Sequence, residues 1–236
     1  MQSRAEIKQT AKAMLRGHWS QGILLSFIPV LIYWLYTIVF HVHNYFGILI
    51  LSLLGMWLSY GVAYACLAWY RAYQKDQTTF YRIDQPIMAA FKVWTPEYFG
   101  TTISILLLTS LFEFLWSLLF IIPGIIKSYA YSQAFLIYYE HVLAGEHVGA
   151  LQCITESRQL MKGHKWEYFV YSLSFLGWDI LASLSFGIGF FWLVPYETIT
   201  YAGYFDNLIK NRSHHQPLST VDEAINVEKQ ALNFSK

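Results

Sequence analysis

Long apolar runs alternate along this chain with short stretches whose basic and apolar residues recur at helical spacing. In residues 3–18, Ile7, Ala11, Met14 and Leu15 fall on one helical face, with Arg4, Lys8, Lys12 and Arg16 around the rest. That pattern predicts a surface helix lying in the headgroup layer, its basic side towards anionic lipid. Gly17 suits its end, and Trp19 suits the membrane interface. Residues 22–40 are apolar and long enough to cross a bilayer, which takes about 20 residues. Pro29 is expected to kink this span. His41, Val42, His43 and Asn44 make a polar turn, and residues 46–70 return. In the returning run Ser59 and Ala63, then Gly61 and Ala65, recur four apart, a spacing that lets helix backbones approach closely.

The same sequence of parts follows twice more. A polar middle, residues 71–98, contains Pro86 as a helix start and a face of Ile87, Met88, Phe91 and Trp94. Residues 100–122 then cross, Pro123-Gly124 turns, and 125–139 return. A third amphipathic helix lies within 140–165, with Val148, Leu151, Ile154 and Leu160 on its apolar side. Trp166 opens another crossing, Gly187-Ile188-Gly189 turns it, and the chain returns through Pro195 to Tyr201. Trp94 and Trp166, Pro123 and Pro195, and Tyr129 and Tyr201 are each 72 positions apart. Arg16-Gly17-His18-Trp19 corresponds to Lys162-Gly163-His164-Lys165-Trp166, and Ser59-Tyr60-Gly61 to Ser128-Tyr129-Ala130 and Thr200-Tyr201-Ala202. The reading is an all-α polytopic membrane protein. Six transmembrane helices form three parallel-repeat hairpins, each preceded by an interfacial amphipathic helix. The repeat units run about 3–72, 84–140 and 148–210, within a single membrane domain covering 1–210. Residues 211–236 form a polar tail in which Thr220 to Glu223 resembles a capping box.

Composition agrees with that class. Of 236 residues, 56% are hydrophobic, 19% aromatic and 13% charged, against about 25% charged in soluble domains. A formal net charge of +1 gives no case for a nucleic-acid partner. Lys and Arg gather at 4–16, 71–92, 158–165 and 210–212, and the turns between them carry none apart from Lys127 just inside one. The positive-inside rule then puts both termini on the cytoplasmic side of a cell membrane. Cys66 and Cys153 fall near that side and are expected as reduced thiols packed among apolar groups. The basic, then apolar, N-terminus lacks a small-residue cleavage site and reads as a retained anchor.

One stretch also carries a family resemblance. Lys162-Gly163-His164-Lys165-Trp166, Leu173-Ser174-Phe175-Leu176-Gly177-Trp178, Gly187-Ile188-Gly189 and Pro195-Tyr196 follow in close order. With Ile122-Pro123-Gly124-Ile125-Ile126 and the Ala11–Trp19 segment, they resemble the bacterial integral-membrane family known as domain of unknown function nine-seven-five. The resemblance spans about residues 5–208. It implies a multipass bacterial membrane protein and carries no established activity or catalytic residue. Asp179 stands where the resemblance leads one to expect an apolar or aromatic residue, which makes it particular to this chain.

Two sets of residues are candidates for chemistry. Glu113, Lys127, Asp179 and Glu197 are ionisable within the apolar runs, where a central charge costs about 2.5–3.5 kcal/mol. They read either as a proton or cation relay in a small transporter, or as structural clasps, with Lys127 and Glu197 paired across the bundle or snorkelling to the outer interface. The second set, Arg16, His18, Arg158, Lys162, His164 and Lys165, sits at the basic helix ends and suits contact with anionic headgroups or another membrane protein. Glu140-His141 and Glu146-His147 resemble metal-ligand material but lack an i, i+4 histidine pair, so no metal and no cofactor is expected. His41 with His43 and His214 with His215 are read the same way. No nucleophile elbow or phosphate loop occurs, and the expectation is a non-enzymatic membrane protein that binds lipid, peptide or a membrane partner. The aromatics Trp19, Trp57, Trp94, Trp166, Tyr168 and Trp192 read as interface belts and packing.

Overall fold

The computed structural model describes residues 2–41, 45–75, 83 and 85–215. Val42, His43 and Asn44 of the first turn, most of the polar stretch between 76 and 84, the side chains of His41, His214 and His215, and the capping-box tail lie outside the described residues. Those described are helical, with no strand among them. In order come α1 (Arg4–Leu15), α2 (Trp19–His41), α3 (Tyr45–Lys75) and α4 (Pro86–Ala90, continued by a 3-10 turn Phe91–Trp94). There follow α5 (Pro96–Leu119), α6 (Ile121–Tyr131), α7 (Ala134–Leu143), α8 (Ala150–Leu160), α9 (Lys165–Leu184) and α10 (Phe190–His215).

Local chemistry sets several of these boundaries. Ser3 caps α1 in a reciprocal box: its Oγ accepts from the Glu6 N–H at 3.3 Å, and its own N–H donates to Glu6 Oε2 at 2.8 Å. Gly17 then takes φ +82°, a left-handed conformation that stops the helix, and the chain turns through 101° into α2. Gly163, between α8 and α9, does the same at φ +89°.

Among the described residues two helices, Leu49–Lys75 and Pro96–Leu119, are long and apolar enough to cross a membrane, or three if the bent α1–α2 pair counts as one span. Exposed Phe114, Leu118, Phe120 and Ile122 carry the apolar surface on towards the end of α5 and the start of α6. The turn there differs from expectation. A single extended residue, Phe120 (φ −160°, ψ 144°), makes the reversal, and Pro123 and Gly124 lie in the first turn of α6. A proline is tolerated at that point because first-turn N–H groups have no acceptor within the helix. Nor is 125–139 one continuous helix. It breaks at Ser132–Gln133, where α8 supplies the missing partners: Ser157 Oγ donates to the Ala130 carbonyl at 2.8 Å and accepts from the Gln133 N–H at 3.2 Å.

The amphipathic helices bury their apolar faces in the protein rather than in a headgroup layer. Ile7, Ala11, Met14 and Leu15 are all buried, and α1 packs on α10. α4 packs on α2 and α3, and α8 on α5, α6 and α7. On α4 and its 3-10 turn it is Ala90 and Val93 that are buried, while Met88 and Trp94 face outwards. On α8, Ile154 and Leu160 are buried as expected, whereas Leu151 is exposed and Cys153, Glu156 and Ser157 take its place inside. Trp57 is a core residue, whereas Trp94, Trp166 and Trp192 are exposed in keeping with an interface role.

Of the small residues of α3, Gly61 sits at a close helix approach, whereas Ser59 is exposed. A Cβ on Gly61 would lie 1.9 Å from the Ala90 carbonyl oxygen, so α4 reaches α3 only because that position has no side chain. The obstruction is backbone and cannot rotate away. Gly61→Ala is therefore expected to cost at least about 2 kcal/mol, read as a fall in melting temperature of the detergent-solubilised protein. The α4 seam is sealed further by Trp57 against Trp94, with ring centroids 4.6 Å apart.

Candidate functional site

α1 does not fit flush along the third helix pair. Between α1, α9 and α10 lies a groove of about 890 Å³, a size suited to a small amphiphile. One side is cationic: Lys8, Lys12 and Arg16 recur along α1 at one turn each. The other side is apolar and aromatic, from Phe175, Trp178 and Leu181 on α9 to Trp192, Leu193 and Tyr196 on α10. Ser185 and Gly189 mark its end at the α9–α10 turn. The turn is tight because a Cβ on Gly189 would meet the Ala182 Cα at 2.8 Å.

The cations are held over the aromatic wall. Lys8 Nζ donates to Ser174 Oγ at 2.6 Å and lies 4.0 Å from the Phe175 ring centroid. Lys12 Nζ is 5.9 Å from the Tyr196 ring centroid. Glu197 is an electrostatic neighbour of both Lys8 and Asp179. Lys12 and Arg16 are exposed, and among the described residues neither makes an ion pair. Lys12 and Arg16 therefore offer positive charge without an ion-pair partner among the described residues, beside an apolar trough.

The ionisable residues of the apolar runs are dispersed. Asp179 and Glu197 lie together beside this groove, and Glu113 lies near Tyr60 of α3. Lys127 does not pair with Glu197: its Nζ sits 4.4 Å over the Trp116 ring, in a separate cavity of about 300 Å³ that it shares with Arg158. The reason is that α6 packs against α8, which brings Arg158 of α8 to Lys127 instead. Of the basic helix ends, Arg16 lines the groove and Arg158 the smaller cavity. Lys162, His164 and Lys165 occupy the α8–α9 turn, where His164 Nδ1 meets Glu167 Oε2 at 3.3 Å. His18 occupies the α1–α2 turn, its N–H donating to the Leu15 carbonyl at 2.9 Å.

The fold closes through two polar clusters that sequence reasoning left unassembled. Arg71 on α3 donates from Nε to Asp206 of α10 at 2.7 Å and from its guanidinium to Glu140 of α7 at 2.8 Å. Lys210 adds a second cation, 2.7 Å from the buried Asp206 carboxylate. Helical spacing gives no sign of this cluster, in which Arg71 and Asp206 are 135 positions apart. His141 lies between two carboxylates, Glu146 at 2.5 Å from Nδ1 and the buried Glu156 at 2.9 Å from Nε2. This pins α7 to α8 across the turn at Gly145 (φ +78°). His141, Glu146 and Glu156 form an ion-paired clasp, with the two carboxylates on opposite nitrogens of one imidazole rather than converging on a shared point. The unseen member, Glu156, was signalled only by its place on the same helical face as Cys153. Burial pushes the Cys153 thiol up to about 12, leaving it unreactive.

The clasp has a pH signature. The hydrogen bond to Glu156 outweighs burial and, with Glu146, pushes His141 up to about 9. Burial works against ionising Glu156, but His141 more than offsets it and holds the carboxyl below its ordinary value. A raised histidine stabilises fully below its unfolded value of about 6.5 and loses that contribution as pH rises through about 9. Melting temperature is expected to fall between pH 7 and 10 in the parent protein. His141→Gln should flatten that slope.

A family profile matches nearly the whole described chain, at residues 1–131 and 119–212, and its description is protein of unknown function, DUF975. The chain belongs to this family. Neither the curated proteins nor the solved structures provide a significant match. As a DUF975 member the chain inherits no assigned chemistry, so its grooves and charges have to be read directly.

Proposed function

We propose that this protein is a non-enzymatic, multi-pass cell-membrane protein that binds anionic lipid in the groove between α1, α9 and α10. The carrying observation is the pairing of three cations on α1 with an apolar, aromatic wall in one cavity of about 890 Å³. An anionic headgroup answers Lys12 and Arg16, and an acyl chain answers Trp178, Leu181 and Leu193. A neutral lipid leaves the cations unanswered, and a soluble anion leaves the trough empty.

The membrane frame of this reading is three hairpins, α2–α3, α5–α6/α7 and α9–α10, with both termini cytoplasmic. Its support is cyclic packing. Each amphipathic helix docks on the preceding hairpin: α4 on the first, α8 on the second, and α1 on the third. The matched left-handed glycines Gly17 and Gly163 support the same register. A transport role for Glu113, Lys127, Asp179 and Glu197 draws less support, because the four do not converge: Asp179 and Glu197 neighbour each other, while Lys127 lines the smaller cavity and Glu113 lies near Tyr60. The test is lipid binding by the full chain in nanodiscs, titrating phosphatidylglycerol against phosphatidylcholine. Selective retention of the anionic lipid supports the proposal. Equal retention of both lipids overturns it.

A further inference from the structure

We infer that the cavity beneath α8 is a second anionic-lipid site, related to the α1 groove by the internal repeat. The alignment of Arg16-Gly17 with Lys162-Gly163 places equivalent residues 146 positions apart. On that register Lys12 corresponds to Arg158 and Gln9 to Thr155. All four line cavities: Gln9 and Lys12 the larger, Thr155 and Arg158 the smaller. The two amphipathic helices thus present the same polar pair to the hairpin each docks on.

The smaller cavity has its own reasons to take an anion. Lys127 faces it from α6, and Lys127 has Arg158 and Lys165 as cationic neighbours. Among the described residues none of these three makes an ion pair. Like charges gathered beside low-dielectric walls repel one another, and a phosphate relieves that repulsion. Trp116, under the Lys127 ammonium at 4.4 Å, and Phe112 supply an apolar wall for the start of an acyl chain. At about 300 Å³ the cavity holds a headgroup and a short length of chain, not a whole lipid. The third seam differs. There α4 meets α3 backbone to side-chain-free backbone at Gly61, leaving no room at that point even for a Cβ.

This inference rests on the lipid reading above, and its test separates the two. The full chain in a neutral detergent is loaded with phosphatidylglycerol, and retained lipids are counted by native mass spectrometry. Two lipids are expected for the parent. Lys127→Gln with Arg158→Gln should retain one, the second binding about thirtyfold more weakly, from two lost interactions with an anionic headgroup. Lys8→Gln, Lys12→Gln and Arg16→Gln together should lose the other lipid instead. A parent that retains only one lipid, removed by the α1 changes, overturns the second site and leaves the first. A parent that retains none overturns both. A second measurement needs no destabilising change. Phosphatidylglycerol brominated on the acyl chain near the headgroup should quench Trp116, read as the difference between the parent and Trp116→Phe. Absence of that difference overturns the inference. Inorganic phosphate at equal concentration should not displace the lipid; full displacement would reassign the cavity to a free anion.

Discussion

Replacing Lys8, Lys12 and Arg16 together by glutamine is expected to weaken phosphatidylglycerol binding about a hundredfold at low ionic strength, since each basic residue near an anionic surface contributes about 1 kcal/mol. The loss should be unequal among the three. Lys8 is engaged by Ser174 and feels the charge of Glu197, so much of its charge is already answered within the protein. Lys12 and Arg16 are exposed and make no ion pair among the described residues, and most of the effect should reside in them. Raising the salt concentration should narrow the difference between parent and variant, as expected for charges near the surface. The fold should survive, because these side chains flank the face of Ile7, Ala11, Met14 and Leu15 that is buried against α10 and are not part of it. Unchanged affinity with an unchanged melting temperature would remove the cationic side of the groove from the account.

Arg71→Met is expected to be the most destabilising single change, costing about 3 kcal/mol, the lower range for removing one partner of a buried pair. Asp206 is buried with its side chain only 2% exposed, and its remaining cation, Lys210, is on an exposed side chain. Arg71 also binds Glu140, so its loss loosens the joint between α3, α7 and α10 at once. A protein of this size should lose roughly 6–12 °C in melting temperature. Arg71→Met combined with Asp206→Asn should cost less than the sum of the two, because the uncompensated carboxylate is gone. Strict additivity would mean that the contact contributes nothing.

The all-helical class and the amphipathic helices were legible because helical periodicity is local. The stop at Gly17, the start at Pro86 and the close approach at Gly61 all follow from residues within a few positions or from one side-chain-free site. The unread features depend on what a helix meets. The apolar face of α1 looks the same whether it faces lipid or α10, so periodicity assigned it to the headgroup layer. The break at Ser132–Gln133 exists because Ser157, on another helix, takes over two hydrogen-bonding groups. Lys127 was placed by depth along a span, yet its partners are set by the docking of α8. The groove was half visible: Arg16 was named as a headgroup or partner contact, while Lys8 and Lys12 were read only as part of a basic helix side turned towards anionic lipid. Its aromatic wall is more than 150 positions away and joins the cations only through the packing of α1 on α10.

Photolabelling places the lipid most directly. A phosphatidylglycerol carrying a diazirine on its acyl chain is irradiated with the full-length protein in nanodiscs, and the labelled peptides are mapped. Labels should concentrate on Trp178, Leu181 and Trp192, which line the groove, above the exposed surface of α5 at Phe114 and Leu118. The enrichment should vanish with the equivalent phosphatidylcholine. Labelling spread evenly over exposed apolar residues, and the same for both lipids, would contradict a specific anionic-lipid groove.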